Sequence, residues 1–307
     1  FSTERCTNCP TVHKQISAVA DTCERIIELG HHAGFYEDNY TIAASKEYEW
    51  FYKEGRLYAP AVMLDRTEMS DNYPDIYSDG VPVVSVGASK LKTLYAEQSC
   101  APAFVSVEPT VKTDESGNIL IHVEGEQLID TDVESPRLFV FVSEDSVYST
   151  NQSGASGGYY HRHMARQSVT PTWGEPIDIK GYTADYTVPV QTGWDAARLS
   201  VVAFVANYDA EDKNNCRVLN AEETKVPYEG VAGIESAVAK PMHVSWDGST
   251  LMVKDGFSRL TVCDMSGRQV YSATADDTAD LSFLDRGYYI ATIVCGNGQK
   301  VMKLMAD

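Results

Sequence analysis

The sequence predicts an α+β multidomain protein in three parts. These are a mixed α/β domain over residues 1–100, an antiparallel β-sandwich over 101–229 and a small all-β domain over 241–307. Two observations predict this division. Apolar residues recur at helical spacing in the first hundred positions and at period two beyond residue 101, and a small, polar linker over 230–240 precedes Pro241. At 307 residues the chain is also longer than one hydrophobic core usually organises.

In the first region, Pro10 suits the first turn of a helix, and Val12, Ile16, Val19 and Ala20 place an amphipathic helix within residues 11–29. Residues 25–30 are short, β-branched and closed by Gly30, as a buried strand would be. Ser45-Lys46-Glu47-Tyr48-Glu49 starts a second helix over 45–52 that closes at Gly55. A strand over 60–65, entered by Pro60, and a last helix over 90–98 complete a β-α-β pattern.

In the second region Ile119, Ile121 and Val123 alternate with polar neighbours, as do Leu138, Val140 and Val142, while residues 199–205 are almost continuously apolar. Residues 149–168 break the pattern: an Asn, Gln, Ser and Gly loop that ends in Tyr159-Tyr160-His161-Arg162-His163. In the tail, short strands around Leu251, 260–263, Val270 and 288–294 are separated by turns at Asp247-Gly248, Ser266-Gly267 and Asn297-Gly298, the last being the strongest hairpin signal in the chain.

Charge narrows the function. With 44 acidic and 25 basic residues the formal charge is −19, which repels phosphate backbones and anionic lipid, so no nucleic-acid partner is expected. No stretch reaches the roughly 20 apolar residues of a transmembrane helix, and none reads as a signal peptide. Phe1-Ser2-Thr3 reads as the end of a buried strand, so an upstream strand and export signal are expected to have been trimmed. Serine-histidine-acid order, a glycine-rich phosphate loop and His-Glu-x-x-His are all missing, leaving hydrolase and nucleotide-binding activity without support. The 18 Tyr and 4 Trp are taken as sandwich packing.

The candidate for chemistry is Cys6-Thr7-Asn8-Cys9-Pro10, a Cys-x-x-Cys pair at a helix mouth. A thiolate attacks a disulfide, and helix N-terminal amides, with Arg5 beside them, lower a thiol pKa; Cys6 is the candidate nucleophile and Cys9 the resolving thiol. An active pair, an inert disulfide and a metal site all fit this spacing. His31 and His32 lack the second tightly spaced pair of a zinc site, and His161 and His163, although alternate residues of an expected strand, have no carboxylate neighbour and are expected to pack against Tyr159 and Tyr160. No metal or cofactor is expected. Of seven cysteines, Cys263 and Cys295 are expected to pair across the tail sheet, and Cys23, Cys100 and Cys216 have no evident mate.

Cys-x-x-Cys followed by β-α-β is the redox arrangement of the thioredoxin fold. Residues 1–10 with His13, then His31-His32-Ala33-Gly34 and Ala59-Pro60-Ala61-Val62-Met63-Leu64-Asp65-Arg66, together resemble the twenty-eight-kilodalton outer membrane protein family of Bacteroidetes. His161-x-His163-x-x-Arg166, residues 201–205 and residues 218–221 extend the resemblance over about 1–228. It implies a thioredoxin-like first domain in which Pro60, preceded by Ala59, forms a cis bond facing the cysteines and offers backbone to a peptide. Residues 260–268, 280–289 and Lys300-x-x-Lys303-Leu304 resemble the sorting domain of type IX secretion cargo, which implies passage to the cell surface or beyond.

Two functions follow. One is an exported envelope or surface protein that exchanges thiols and disulfides with, or binds, cysteine-containing peptides or surface proteins. The other is a non-catalytic adhesion protein that uses the sandwich, with a vestigial thioredoxin-like scaffold. An exposed Cys6 beside a cis Pro60 favours the first, and a pair buried under residues 65–81 favours the second.

Overall fold

Pro10 lies in the first turn of α1 (Cys9–Ala20), where its missing N–H would have had no intrahelical partner. The helix ends earlier than its apolar pattern suggests, because Thr22 Oγ1 donates to the Val19 carbonyl and Cys23 N to that of Ala20, turning the chain away. A computed structural model describes residues 1–23, 25–98, 102–228, 244–264, 268–295 and 298–306. The chain divides into two compact units, Phe1–Tyr228 and Glu229–Asp307.

The expected strand over 25–30 forms no ladder before Gly30; Ile27 and Leu29 are drawn into an aromatic core instead. Ser2 pairs in parallel with His32, through Ser2 N to the His31 carbonyl (3.0 Å) and Ala33 N to the Ser2 carbonyl (3.0 Å). On its other side, Phe1 N donates to Ala61 O (2.8 Å) and Ala61 N to Phe1 O (3.2 Å). The second expected helix is α2 (Ala43–Glu47), which tightens into a 3-10 turn over Tyr48–Phe51. β1 (Val62–Met63) then pairs antiparallel with β2 (Val83–Val84), and α3 (Ala88–Gln98) follows. Segments 30–33, 1–3, 61–63 and 83–84 therefore lie side by side.

The sandwich runs β3 (Glu108–Thr113), β4 (Asn118–Gly125), β5 (Pro136–Glu144), β6 (Val147–Ser149), β7 (Tyr159–His161), β8 (Met164–Ser168), β9 (Glu175–Pro176), β10 (Tyr182–Pro189), β11 (Leu199–Asn207) and β12 (Val218–Lys225). One sheet has the order β10-β4-β3 and the other β12-β11-β5-β8, with β9 pairing β5; β6 and β7 form a separate hairpin. The loop expected over 149–168 is thus shorter, its tip confined to residues 150–158.

β5 and β11 are buried on both faces, which accounts for the unbroken apolar run over 199–205. Leu138, Val140, Val142, Val201 and Val205 pack with Ile119, Ile121 and Val123 of the opposite sheet. Phe139, Phe141 and Phe204 point the other way, into Tyr48, Phe51 and Tyr52 of the first region. Backbone bonds reinforce this union: Gly30 N donates to the His163 carbonyl (2.7 Å) and Ala165 N to the Gly30 carbonyl (2.9 Å). Lys213 Nζ also donates to the Trp50 and Tyr52 carbonyls (2.6 and 2.7 Å). The first hundred residues and the sandwich consequently share one aromatic core.

The second unit contains β13 (Val244–Trp246), β14 (Thr250–Phe257), β15 (Arg259–Asp264), β16 (Gln269–Ala273), β17 (Asp276–Asp280), β18 (Gly287–Cys295) and β19 (Gly298–Ala306). They form sheets of order β13-β14-β17 and β16-β15-β18-β19 around Leu251, Leu260, Val262, Ala291, Ile293 and Leu304. The expected Cys263–Cys295 disulfide is not made: register sets Cys263 opposite Ile290, and its thiol is free. The 230–240 linker, Cys100, Ser266-Gly267 and Asn297 fall outside the described residues. Among the described residues no helix is long and apolar enough to cross a membrane.

Candidate functional site

Cys6 and Cys9 form a disulfide with a Cα–Cα separation of 5.4 Å. Cys6 lies just before α1 and Cys9 is its first residue, so unsatisfied helix amides converge on the pair. Cys9 N–H donates to Cys6 Sγ at 3.1 Å. Arg5, expected to lower the thiol pKa, instead lies over the ring of Tyr36, 5.7 Å from its centroid. Ala59–Pro60 is cis, and the next residue, Ala61, is the one bonded to Phe1. Pro60 therefore belongs to the segment beside the one that leads into Cys6.

Both cysteines are buried: Cys6 is 4% and Cys9 1% exposed. In residues 65–81, the cover named for the non-catalytic alternative, Met69 and Tyr77 pack with Val19 of α1 and Leu91 and Leu94 of α3. The sandwich reaches the segment that carries Cys6 through the tip of the β6–β7 hairpin. Gln152 Nε2 donates to the Cys6 and Ser153 carbonyls, both at 2.9 Å, and reaches the Thr3 carbonyl at 3.4 Å. Ser153 N donates to Glu4 O (2.7 Å), and Ser149 Oγ donates to the buried Glu4 carboxylate. Gly154, at φ +80°, lies against Thr7 so closely that a methyl at its Cα would run into the Thr7 carbonyl oxygen. Sequence does not single out Gln152 or Gly154; the signal available was the run Ser153-Gly154-Ala155-Ser156-Gly157-Gly158, legible as a loop but not as a partner of residues 3–7.

A group of buried imidazoles shares this end of the unit. His32 Nδ1 bonds Asp38 Oδ2 at 2.8 Å, the same oxygen that accepts Glu4 N at 2.7 Å. Burial opposes ionisation of Asp38, but the His32 bond and the Glu4 and Tyr40 amides hold its pKa below the usual carboxylate value. His161 is 4.7 Å from His32, ring centre to ring centre, and neither of its nitrogens has a hydrogen-bond partner. Burial, with the neighbouring His32, pushes the His161 pKa down to about 4. Burial is likewise the main cause that lowers His13 and His31 to about 3, with His31 Nδ1 bonded to Ser45 Oγ at 2.9 Å. The His13, His31 and His161 rings are neutral near pH 7.

His161 and His163 are not alternate residues of one strand. β7 ends at His161, and His163 occupies a left-handed turn (φ +47°) before β8. His161 packs on Tyr159, with ring centres 4.9 Å apart, whereas exposed Tyr160 pairs with Tyr148. Among the described residues no three His, Cys, Asp or Glu side chains converge to hold a metal ion.

Residues 84–228 match the family model described as outer membrane protein Omp28, a segment that begins in β2 and spans the sandwich. HBP35 of Porphyromonas gingivalis has a similar fold, with a TM-score of 0.58 and 17% identity over 100% of this chain and 96% of that one. A domain of the outer membrane lipoprotein Omp28 from Porphyromonas gingivalis is 22% identical, covering 41% of this chain and 90% of that one, with a TM-score of 0.29. No curated protein matches. The family that residues 84–228 match is one of outer membrane proteins, in line with the export expected from the sequence.

Proposed function

We propose that the protein is a thiol–disulfide exchange protein of the cell envelope, whose thioredoxin-like first region acts on cysteine-containing polypeptides. The observation that carries this is the Cys9 N–H donated to Cys6 Sγ at the N-terminus of α1, which stabilises Cys6 as a thiolate leaving group and nucleophile. The side-by-side order of 30–33, 1–3, 61–63 and 83–84, parallel at Ser2–His32 and antiparallel at Phe1–Ala61, supports the thioredoxin-like assignment, as does cis Ala59–Pro60. In this role Ala59 and Pro60 offer backbone to the bound peptide. The all-β tail serves as a type IX sorting domain, a role that rests on the sequence resemblance of 260–268 and 280–289.

Exchange balances as follows. A partner thiolate attacks Cys6 Sγ, the Cys6–Cys9 bond breaks, and Cys9 leaves as a thiolate that takes up a proton. The partner's second thiolate then attacks its own sulfur in the mixed disulfide and expels Cys6. The partner dithiol is oxidised to a disulfide, while two electrons and two protons pass to the Cys6–Cys9 pair.

The burial of both sulfurs favours a second reading, a surface binding protein that keeps the disulfide as a brace. Incubation with a reduced dithiol peptide separates the two. The exchange reading expects one peptide disulfide formed per wild-type chain and none with Cys6→Ser. Equal inactivity of the two proteins would leave the brace.

A further inference from the structure

The exchange proposed above requires a partner sulfur to reach Cys6, which is buried, and the tip of the β6–β7 hairpin is bonded to the main chain of residues 3–7 that carries it. Resting on that reading, we propose that residues 151–154 are a displaceable cover that gates the disulfide, and that a partner polypeptide takes their place on the main chain of residues 3–7.

The contacts made by the cover are of the kind another polypeptide can replace. Ser153 offers a backbone N–H to Glu4 O, and Gln152 offers its amide to the Cys6 carbonyl. These acceptors are main-chain groups that any peptide N–H, or water, satisfies as well, so opening exchanges hydrogen bonds without destroying them. No large apolar side chain anchors the tip, whose sequence over 151–158 is Asn-Gln-Ser-Gly-Ala-Ser-Gly-Gly. Gly154, Gly157 and Gly158 all have positive φ, so the backbone turns within the tip and at its C-terminal side with little steric cost.

The closed state also carries a defect: Gln152 Oε1 is buried with no hydrogen-bond partner. An unsatisfied buried acceptor costs free energy that opening returns, since water reaches it there. A purely structural strap would be expected to satisfy that atom. The hairpin base is fixed more firmly, by the Val147–His161 and Ser149–Tyr159 pairs and by Ser149 on Glu4, so motion is confined to the tip.

If reduction requires opening, its rate scales with the open population, and weakening the cover accelerates it by the same factor. The test is the rate at which TCEP reduces Cys6–Cys9 in the folded full chain, read by mass-mapped alkylation. Gln152→Ala removes the side-chain bonds and is expected to speed reduction by about tenfold. Gly154→Ala prevents the present seating on Thr7 and should speed it at least as much. Gly117→Ala, at φ +79° with open space around it, imposes a similar backbone penalty far from the cover and should leave the rate unchanged.

Wild-type rates in both cover variants, each folded by circular dichroism, would overturn the cover. Faster reduction in both, with no variant able to oxidise the dithiol peptide, would keep the cover and remove the exchange function. Peptide oxidation by wild type at the rate of the opened variants would keep exchange and remove the cover.

Discussion

The two faces of β5 and β11 are packed by different chemistry. The face toward β3 and β4 is aliphatic, a Val, Leu and Ile surface of regular sheet-on-sheet packing. The opposite face is aromatic: Phe139, Phe141 and Phe204 meet Tyr48, Phe51 and Trp173, and buried Arg66 places its guanidinium 4.4 to 5.1 Å from four ring centres. Branched aliphatic side chains suit two parallel layers. Rings suit an irregular segment such as α2 and its 3-10 turn, and they tolerate a buried cation that an aliphatic surface would not. The aromatic face is thus what binds the cysteine-bearing region to the sandwich and keeps the β6–β7 tip near Cys6.

That contrast is open to direct attack. Arg66→Ala removes a cation from four rings and leaves a hole, and is expected to cost about 4 kcal/mol in urea unfolding and to speed TCEP reduction of Cys6–Cys9. Val140→Ala, on the aliphatic face, should cost about 2 kcal/mol and leave the reduction rate unaltered. Equal effects of the two on reduction would show that the faces do not divide their roles.

A smaller effect separates the buried imidazoles from both faces. The folded His161 pKa lies near 4 and the ordinary value is 6.5, so within that interval the unfolded chain binds a proton that the folded chain does not. Stability should therefore be intact above pH 6.5 and fall as pH drops toward 4, by on the order of 2 kcal/mol for this residue. His161→Phe keeps the ring and should lose that part of the pH dependence; an unchanged acid profile would contradict it.

Much of the fold was legible in the sequence. The period-two run at Ile119, Ile121 and Val123 marks a strand with one face inward, and the unbroken run over 199–205 marks one buried on both. What covers that second face was not legible, because helical and strand periodicities report which residues are buried and not what they touch. Residues 25–30 show the cost: β-branched composition suggested a strand, but Ile27 and Leu29 serve tertiary packing instead. The Cys6–Cys9 pair stood out through its Cys-x-x-Cys spacing, and Pro60 through the family resemblance. Gln152 did not, since a residue 146 positions from Cys6 leaves no local pattern when its role is a hydrogen bond to a carbonyl.

The most direct test of the account is to trap the exchange intermediate. A chain carrying Cys9→Ser, with Gln152→Ala to lift the cover, is mixed with a disulfide-bonded peptide and the adduct is mapped by mass spectrometry. The account predicts one mixed disulfide, on Cys6. A natively folded chain with no adduct at Cys6 would contradict it.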